Sequence, residues 1–173
     1  MALLPAKRYV AGAADLPHPP PGWPSFEAVM ELAMAKAGKA ALAGEAPVGA
    51  VLLSAKGKVL ATAGNAPITR TDPTAHAEML VLRQAAAKLG NYRLTGSTLV
   101  VTLEPCLMCL GAMIHARIGL LVYGASDPRT GAVDSQLCGP DLPFVNHRFD
   151  VISGISAESC GQMLRDFFRS RRL

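Results

Sequence analysis

The sequence lacks any apolar run approaching the roughly 20 residues that cross a bilayer, so no membrane-spanning helix is expected. It has only four cysteines in 173 residues, too few for a disulfide scaffold. Charged residues are scarce at 17%, but hydrophobic residues reach 50%, which excludes disorder as the general state. The N-terminus does not look like a secretory signal either. The opening MALLPAKRYV breaks its apolar start at Pro5 and turns charged at Lys7 and Arg8, whereas a signal keeps a continuous apolar stretch after its charges. A transit peptide is Ser-rich and acid-poor, yet the first serine is Ser25 and Asp15 precedes it. A cytoplasmic protein is therefore expected, with no membrane partner. No internal repeat is visible. What is present is enough chain for one core. Its 17 Lys+Arg against 13 Asp+Glu give a net charge of +4, which permits a phosphate-rich partner without requiring one.

Residues 1–24 carry Pro5, Pro17, Pro19, Pro20, Pro21 and Pro24. Prolines lack a donor and fix the backbone, so this Pro-rich extension is expected to be mobile or loosely packed, with Trp23 as an anchor. The domain proper is residues 25–173. Ser25 can cap a helix on which Phe26, Val29, Met30, Ala33, Met34 and Ala37 share a face. Val48–Leu53 and Val59–Ala63 flank a turn-like Ala55–Lys58, predicting a hairpin. Asp72-Pro73-Thr74 starts a helix over Ala75-His76-Ala77-Glu78, and Gly90 stops it. Thr98–Leu103 is apolar on both faces, as a central strand is. A short helix over about 106–116 and a strand over 118–123 follow, close enough for a parallel crossover. A last strand is expected at 149–152. A final helix from about Ala157 places Cys160, Met163, Leu164, Phe167 and Phe168 on one stripe. The fold class is α/β, one mixed sheet of roughly five strands covered by helices.

Two short motifs can carry chemistry. His76-Ala77-Glu78 alone is weak, since such triplets are common. In Pro105-Cys106-Leu107-Met108-Cys109, the spacing puts both sulfurs on one helix face near its N-terminus, where free N–H groups favour thiolate. Zinc takes four ligands in a structural site, and three plus water in a catalytic one. Cys138 and Cys160 would make a four-cysteine cage, but one lies in a loop and the other on an apolar stripe. His76 would instead leave an open position with Glu78 beside it. A redox pair is a third option, although nothing nearby looks like a thioredoxin unit.

The combination of H-x-E with P-C-x-x-C is far more specific than either half. Together with Asn65-Ala66-Pro67, Asp72–Glu78, Asn91-Tyr92-Arg93-Leu94, Thr102–Cys109, Gly111–Ile118, Asp127–Ala132, Asn146-His147-Arg148 and Asp166-Phe167-Phe168-Arg169, it resembles the bacterial tRNA-specific adenosine deaminases. These are cytidine deaminase-like zinc enzymes. The likeness runs from about Phe26 to Arg172. It is absent in 1–24 and loosest between Val133 and Val145.

The resemblance implies a three-layer αβα sandwich and hydrolytic conversion of adenosine to inosine at the wobble position of a tRNA anticodon loop. One Zn2+ per subunit would be held by His76, Cys106 and Cys109, and Glu78 would serve as acid/base on an activated water. Asn65 would contact the base, although composition alone makes it a turn residue. Asp127 and the Phe168–Arg172 end, with Phe168, Arg169 and Arg171, would contact tRNA. Arg165, Arg169, Arg171 and Arg172 outnumber Glu158 and Asp166 there, and the adjacent aromatics suit stacking. The family forms homodimers, and the helix after Cys109 is apolar almost all round, so a second copy is expected against it. DNA is not an expected partner. The alternative is a free-base (guanine) deaminase, and a non-catalytic RNA-binding protein is a third reading. Glu78 counts against the last, and His76 counts against a nucleoside cytidine deaminase. Glu104 either orients a ligand from behind or only closes a strand, and the sequence alone gives no reason to place it in the site.

Overall fold

The computed structural model describes residues 3–171. Arg172, one of the expected tRNA-binding arginines, lies outside the described residues. One six-stranded sheet forms the middle layer: β1 (Arg8–Val10), β2 (Gly49–Leu53), β3 (Val59–Gly64), β4 (Thr98–Leu103), β5 (Leu120–Ala125) and β6 (Asp150–Ser153). Their spatial order is β1-β6-β5-β4-β2-β3, and β2 alone runs against the rest. The helices are α1 (Phe26–Leu42), α2 (Pro67–Arg70), α3 (Ala77–Leu89), α4 (Leu107–Ala116) and α5 (Ala157–Ser170). α1 and α5 cover one face, α3 and α4 the other. The expected three layers are therefore present.

The central strands show why their sequence reads as a continuous apolar run. β4 sends Leu99 and Val101 into the core beneath α3 and α4, and Val100 into the core beneath α1 and α5. β2 splits Ala50 and Leu52 from Val51 and Leu53 in the same way. Alternation of side chains with helices on both faces leaves no polar side to the strand. Gly49 is required by closeness: a Cβ there would collide with the Ala33 carbonyl of α1.

Two expectations are corrected, and one left open between Phe167 and Phe168 is decided. The extension is not without regular structure. Residues 8–10 add a parallel sixth strand beside β6, and Trp23 donates its indole N–H to the Gly57 carbonyl at 2.9 Å. The stretch between Pro5 and Pro17 is free of proline, so it has the donors that an open sheet edge takes up. The second helix starts at Ala77 rather than Ala75, because Asp72 spends its carboxylate on the N–H and hydroxyl of Thr74. His76 is thereby left as the N-cap of α3. On α5, Phe168 is 48% exposed and does not join the core. Phe167 is the half-buried ring, with Phe168 edge-on to it at 5.3 Å and the Arg171 guanidinium 4.3 Å from its centre.

The topology sets up the site. β3, β4 and β5 run in one direction, so the residues after them, Asn65, Glu104 and Ser126, emerge at one sheet edge, where open α/β folds bind ligands. Antiparallel β2 begins at this same edge. Just before it, Glu45 is 2% exposed and caps α2, which has no side-chain cap of its own. Its carboxylate accepts from the Ile68 N–H at 3.3 Å and from the Thr69 N–H and hydroxyl at 2.7 and 2.8 Å. Burial opposes ionisation of Glu45, but the Thr69 and Ile68 donors and the Arg171 charge hold its carboxyl below the ordinary value. A lowered folded pKa contributes stability above the unfolded value, and that contribution is lost as pH falls through the folded one. Glu45→Gln should therefore cost about 2 kcal/mol at neutral pH. Urea unfolding across the acid range should show the gap closing below pH about 4. A gap constant with pH would contradict this account.

Candidate active site and metal centre

α3 and α4 lie side by side on one sheet face, and their N-termini converge. His76 and Cys106 are the two N-caps, and Cys109 sits one turn into α4. His76 Nδ1 lies 3.7 Å from Cys106 Sγ and 3.6 Å from Cys109 Sγ, and the sulfurs are 3.8 Å apart. A tetrahedral ion about 2.3 Å from sulfur and about 2.0 Å from nitrogen has S···S and N···S edges of about 3.8 and 3.5 Å. The donor set thus fits a zinc-sized ion with one corner left over. His76, Cys106 and Cys109 form the metal-competent group among the described residues. Cys138 is exposed in its loop. Cys160 is buried beneath the opposite face of the sheet. The four-cysteine cage is not assembled, and the imidazole between the two sulfurs distinguishes the site from a redox pair.

Electrostatics favour a cation here. Cys109 and His76 hold the Cys106 thiol down at about 4, against burial. The Cys106 sulfur, together with burial, drives the Cys109 thiol upward. Two thiolates this close repel each other, and a divalent ion removes that repulsion. Both helix N-termini direct partial positive charge at the cluster, which favours the thiolate forms that such an ion binds.

Glu78 stands in the first turn of α3, 4% exposed. Its Oε2 is buried without a hydrogen-bond partner, a costly arrangement unless a ligand or water completes it. Burial raises its carboxyl above the ordinary range, partly offset by its own backbone N–H and by His76. Asn65 follows β3, and its Oδ1 accepts from the Ala77 N–H at 2.8 Å. The expected turn residue is therefore also the clamp on the helix that carries His76 and Glu78. Its Nδ2 bonds no described protein group and remains available to a ligand.

Asn65, His76, Glu78 and Cys106 lie in the wall of a cavity of about 920 Å³ that Leu103, Ser126, Arg129, Leu164 and Arg165 also line. Of the expected RNA contacts, Asp127, Phe168 and Arg169 border this cavity. Arg171 does not; it lies over Phe167 instead. The Asp127 carboxylate is occupied by its own loop, accepting from the Arg129 and Thr130 N–H groups and the Thr130 hydroxyl at 2.9, 3.2 and 2.5 Å.

Sequence reasoning missed Glu104. It is 2% exposed, and its Oε1 accepts from the Val133, Asp134 and Ser135 N–H groups at 3.2, 2.8 and 2.9 Å. Oε2 takes the Asp127 N–H at 3.0 Å and the Ser135 hydroxyl. Burial works against the charge, but these donors hold its carboxyl below the ordinary value. One carboxylate therefore fastens the 126–135 loop to the end of β4. The available signal was an acid closing an apolar strand directly before Pro105, where burial demands partners. Glu104→Ala should leave those N–H groups unpaired and lower stability by about 3 kcal/mol or more. Urea unfolding midpoints equal to wild type would rule that role out.

A family profile described as MafB19-like deaminase matches residues 25–172. The tRNA-specific adenosine deaminase of Haemophilus influenzae is 49% identical over 146 residues, 84% of each chain. A solved structure from biochemical and structural studies of A-to-I editing by tRNA:A34 deaminases at the wobble position of transfer RNA is 44% identical. It has a TM-score of 0.77 and covers 79% of this chain and 99% of that one. The guanine deaminase of Bacillus subtilis is 39% identical but covers 58% of this chain and 64% of its own, with a TM-score of 0.55. The likeness to the adenosine deaminases is thus longer and stronger, and the chain belongs to the MafB19-like deaminase family, among its tRNA-specific adenosine deaminases.

Proposed function

We propose that this enzyme hydrolyses adenosine to inosine at the wobble position of a tRNA anticodon loop, releasing ammonia. The observation that carries this reading is the unpartnered, buried Glu78 Oε2 beside a His–Cys–Cys cluster, at a cavity bordered by Arg129, Arg165, Phe168 and Arg169. One zinc ion per subunit fits the three donors and, when bound, supplies a water of lowered pKa as nucleophile.

The chain's own groups do the rest. Asn65, fixed through its Oδ1, offers Nδ2 to the purine edge. Glu78 takes a proton from the attacking water and delivers it to ring N1. The new C6–O bond forms as N1 becomes protonated. Glu78 then moves the second proton of the water to the exocyclic amine, the C6–N bond breaks, and ammonia departs. Its burial beside the three donors, with Oε2 free of any protein partner, suits a group that both accepts and returns a proton. A stacked base hides C6, so the substrate must be splayed out, as an anticodon loop allows. Phe168 offers a stacking face, and the arginines at the cavity mouth offer phosphate contacts. The reaction belongs in the cytoplasm, where tRNA is found.

A homodimer completes the proposal. Along α4, Leu107 is 61% exposed and Met108, Gly111 and Ala112 are partly so. This is an apolar strip that a second copy would cover. Light scattering after chromatography should give twice 18.1 kDa. A species of single mass at micromolar concentration would remove the dimer from the account.

Incubation with an anticodon stem-loop bearing wobble adenosine should yield inosine, while free guanine and cytidine stay unchanged. Turnover should fall steeply with added salt, because phosphate contacts release counterions. Ammonia released from guanine with the stem-loop untouched would establish the rival reading instead. Glu78→Gln should retain the metal and lose turnover by on the order of a hundredfold to ten-thousandfold. Wild-type rates in that variant would disprove its acid/base role.

A further inference from the structure

The family match starts at residue 25, yet a residue well before it reaches the loop that walls the active-site cavity. We propose that Arg8 is a positioning residue for this site, holding the 126–135 wall through Asp134 and Glu104. The activity arm of its test rests on the deaminase reading; the structural arm does not.

β1 carries Arg8 beside β6, and Ala6 N–H fastens the strand to Asp141 at 2.8 Å. From there the Arg8 guanidinium pairs with the Asp134 carboxylate and, at 3.1 Å, with Asp141. Asp134 is a junction. One of its oxygens meets Arg8, the other accepts the Tyr123 hydroxyl at 2.7 Å, and its N–H donates to Glu104 at 2.8 Å. Glu104 in turn holds the Asp127 N–H in the cavity wall. The path from the extension to the substrate cavity therefore consists of three contiguous polar contacts, through Arg8, Asp134, Glu104 and Asp127.

Charge gives Arg8 its importance. Glu104, Asp134 and Asp141 cluster behind the wall, and the cations facing them are Arg8 and Arg148, the latter 3.7 Å from Asp141. Without Arg8, Asp134 has no cationic partner among the described residues and stands against the ionised Glu104. Mutual repulsion then favours release of the loop segment that both acids hold. Arg8 and Asp134 side chains are 29% and 32% exposed, so solvent screens the pair and the effect is moderate.

The test uses the full-length, metal-loaded enzyme with Arg8→Gln, Arg8→Lys, Asp134→Asn and the doubly substituted chain. Lys7→Ala is the control, since that side chain is exposed and makes no hydrogen bond or ion pair among the described residues. Amide hydrogen exchange is read at Asp127 and at 133–135, alongside steady-state kinetics on an anticodon stem-loop. Arg8→Gln should speed exchange at those amides and raise KM by about fivefold, with kcat held within about twofold. Arg8→Lys should recover most of both. The double variant should be no worse than the poorer single one, because the two residues act through one contact. Exchange and KM at wild-type values in Arg8→Gln, or an equal effect from Lys7→Ala, would overturn the proposal. If the stem-loop is not a substrate, the exchange arm still decides. If Arg8→Gln does not fold, Asp134→Asn and Arg8→Lys carry the same comparison.

Discussion

The structure depends on two helix beginnings meeting at one point. α3 and α4 share a sheet face, and their N-caps are His76 and Cys106. Had either helix started a turn earlier, its ligand would sit inside the helix and face another direction. Asp72 prevents that for α3 by ending its turn on Thr74. Pro105, which lacks a donor, performs the matching service just before α4. Three donors then approach to within the edges of one coordination sphere, and each is the type of atom that zinc prefers.

Buried carboxylates organise the rest of the sheet edge, and they do so in different ways. Glu45 and Glu104 are satisfied by backbone donors and act as clamps, on α2 and on the 126–135 loop respectively. Glu78 is equally buried but keeps one oxygen unpaired. The contrast sets Glu78 apart from the two clamping acids without reference to any relative. A buried acid with all its lone pairs used has nothing left for a substrate. Asp127, which is only half-buried, also accepts from its own loop through both oxygens.

Much of this could be read from the residues. The apolar run at Thr98–Leu103, the hairpin around Ala55–Lys58 and the short crossover to β5 follow from local pattern, because local pattern determines them. The His–Cys–Cys set was legible because two motifs with the same metal preference occur in one chain. What local pattern does not encode is long-range pairing. The Pro-rich beginning gave no sign that Arg8–Val10 would join the sheet, since that pairing is decided by the free edge of β6. Glu104 was passed over because its donors lie some thirty residues away. Phe167 and Phe168 share a stripe by periodicity, and only the packing of α5 shows which ring stays outside.

The central claim is that His76, Cys106 and Cys109 hold one ion and leave a corner open. Elemental analysis of the purified protein, joined to zinc-edge X-ray absorption, tests it most directly. The account predicts one zinc per chain with two sulfur ligands at about 2.3 Å and the remaining ligands nitrogen or oxygen near 2.0 Å. Protein free of transition metal that still turns over substrate, or a shell of four sulfurs, would contradict it.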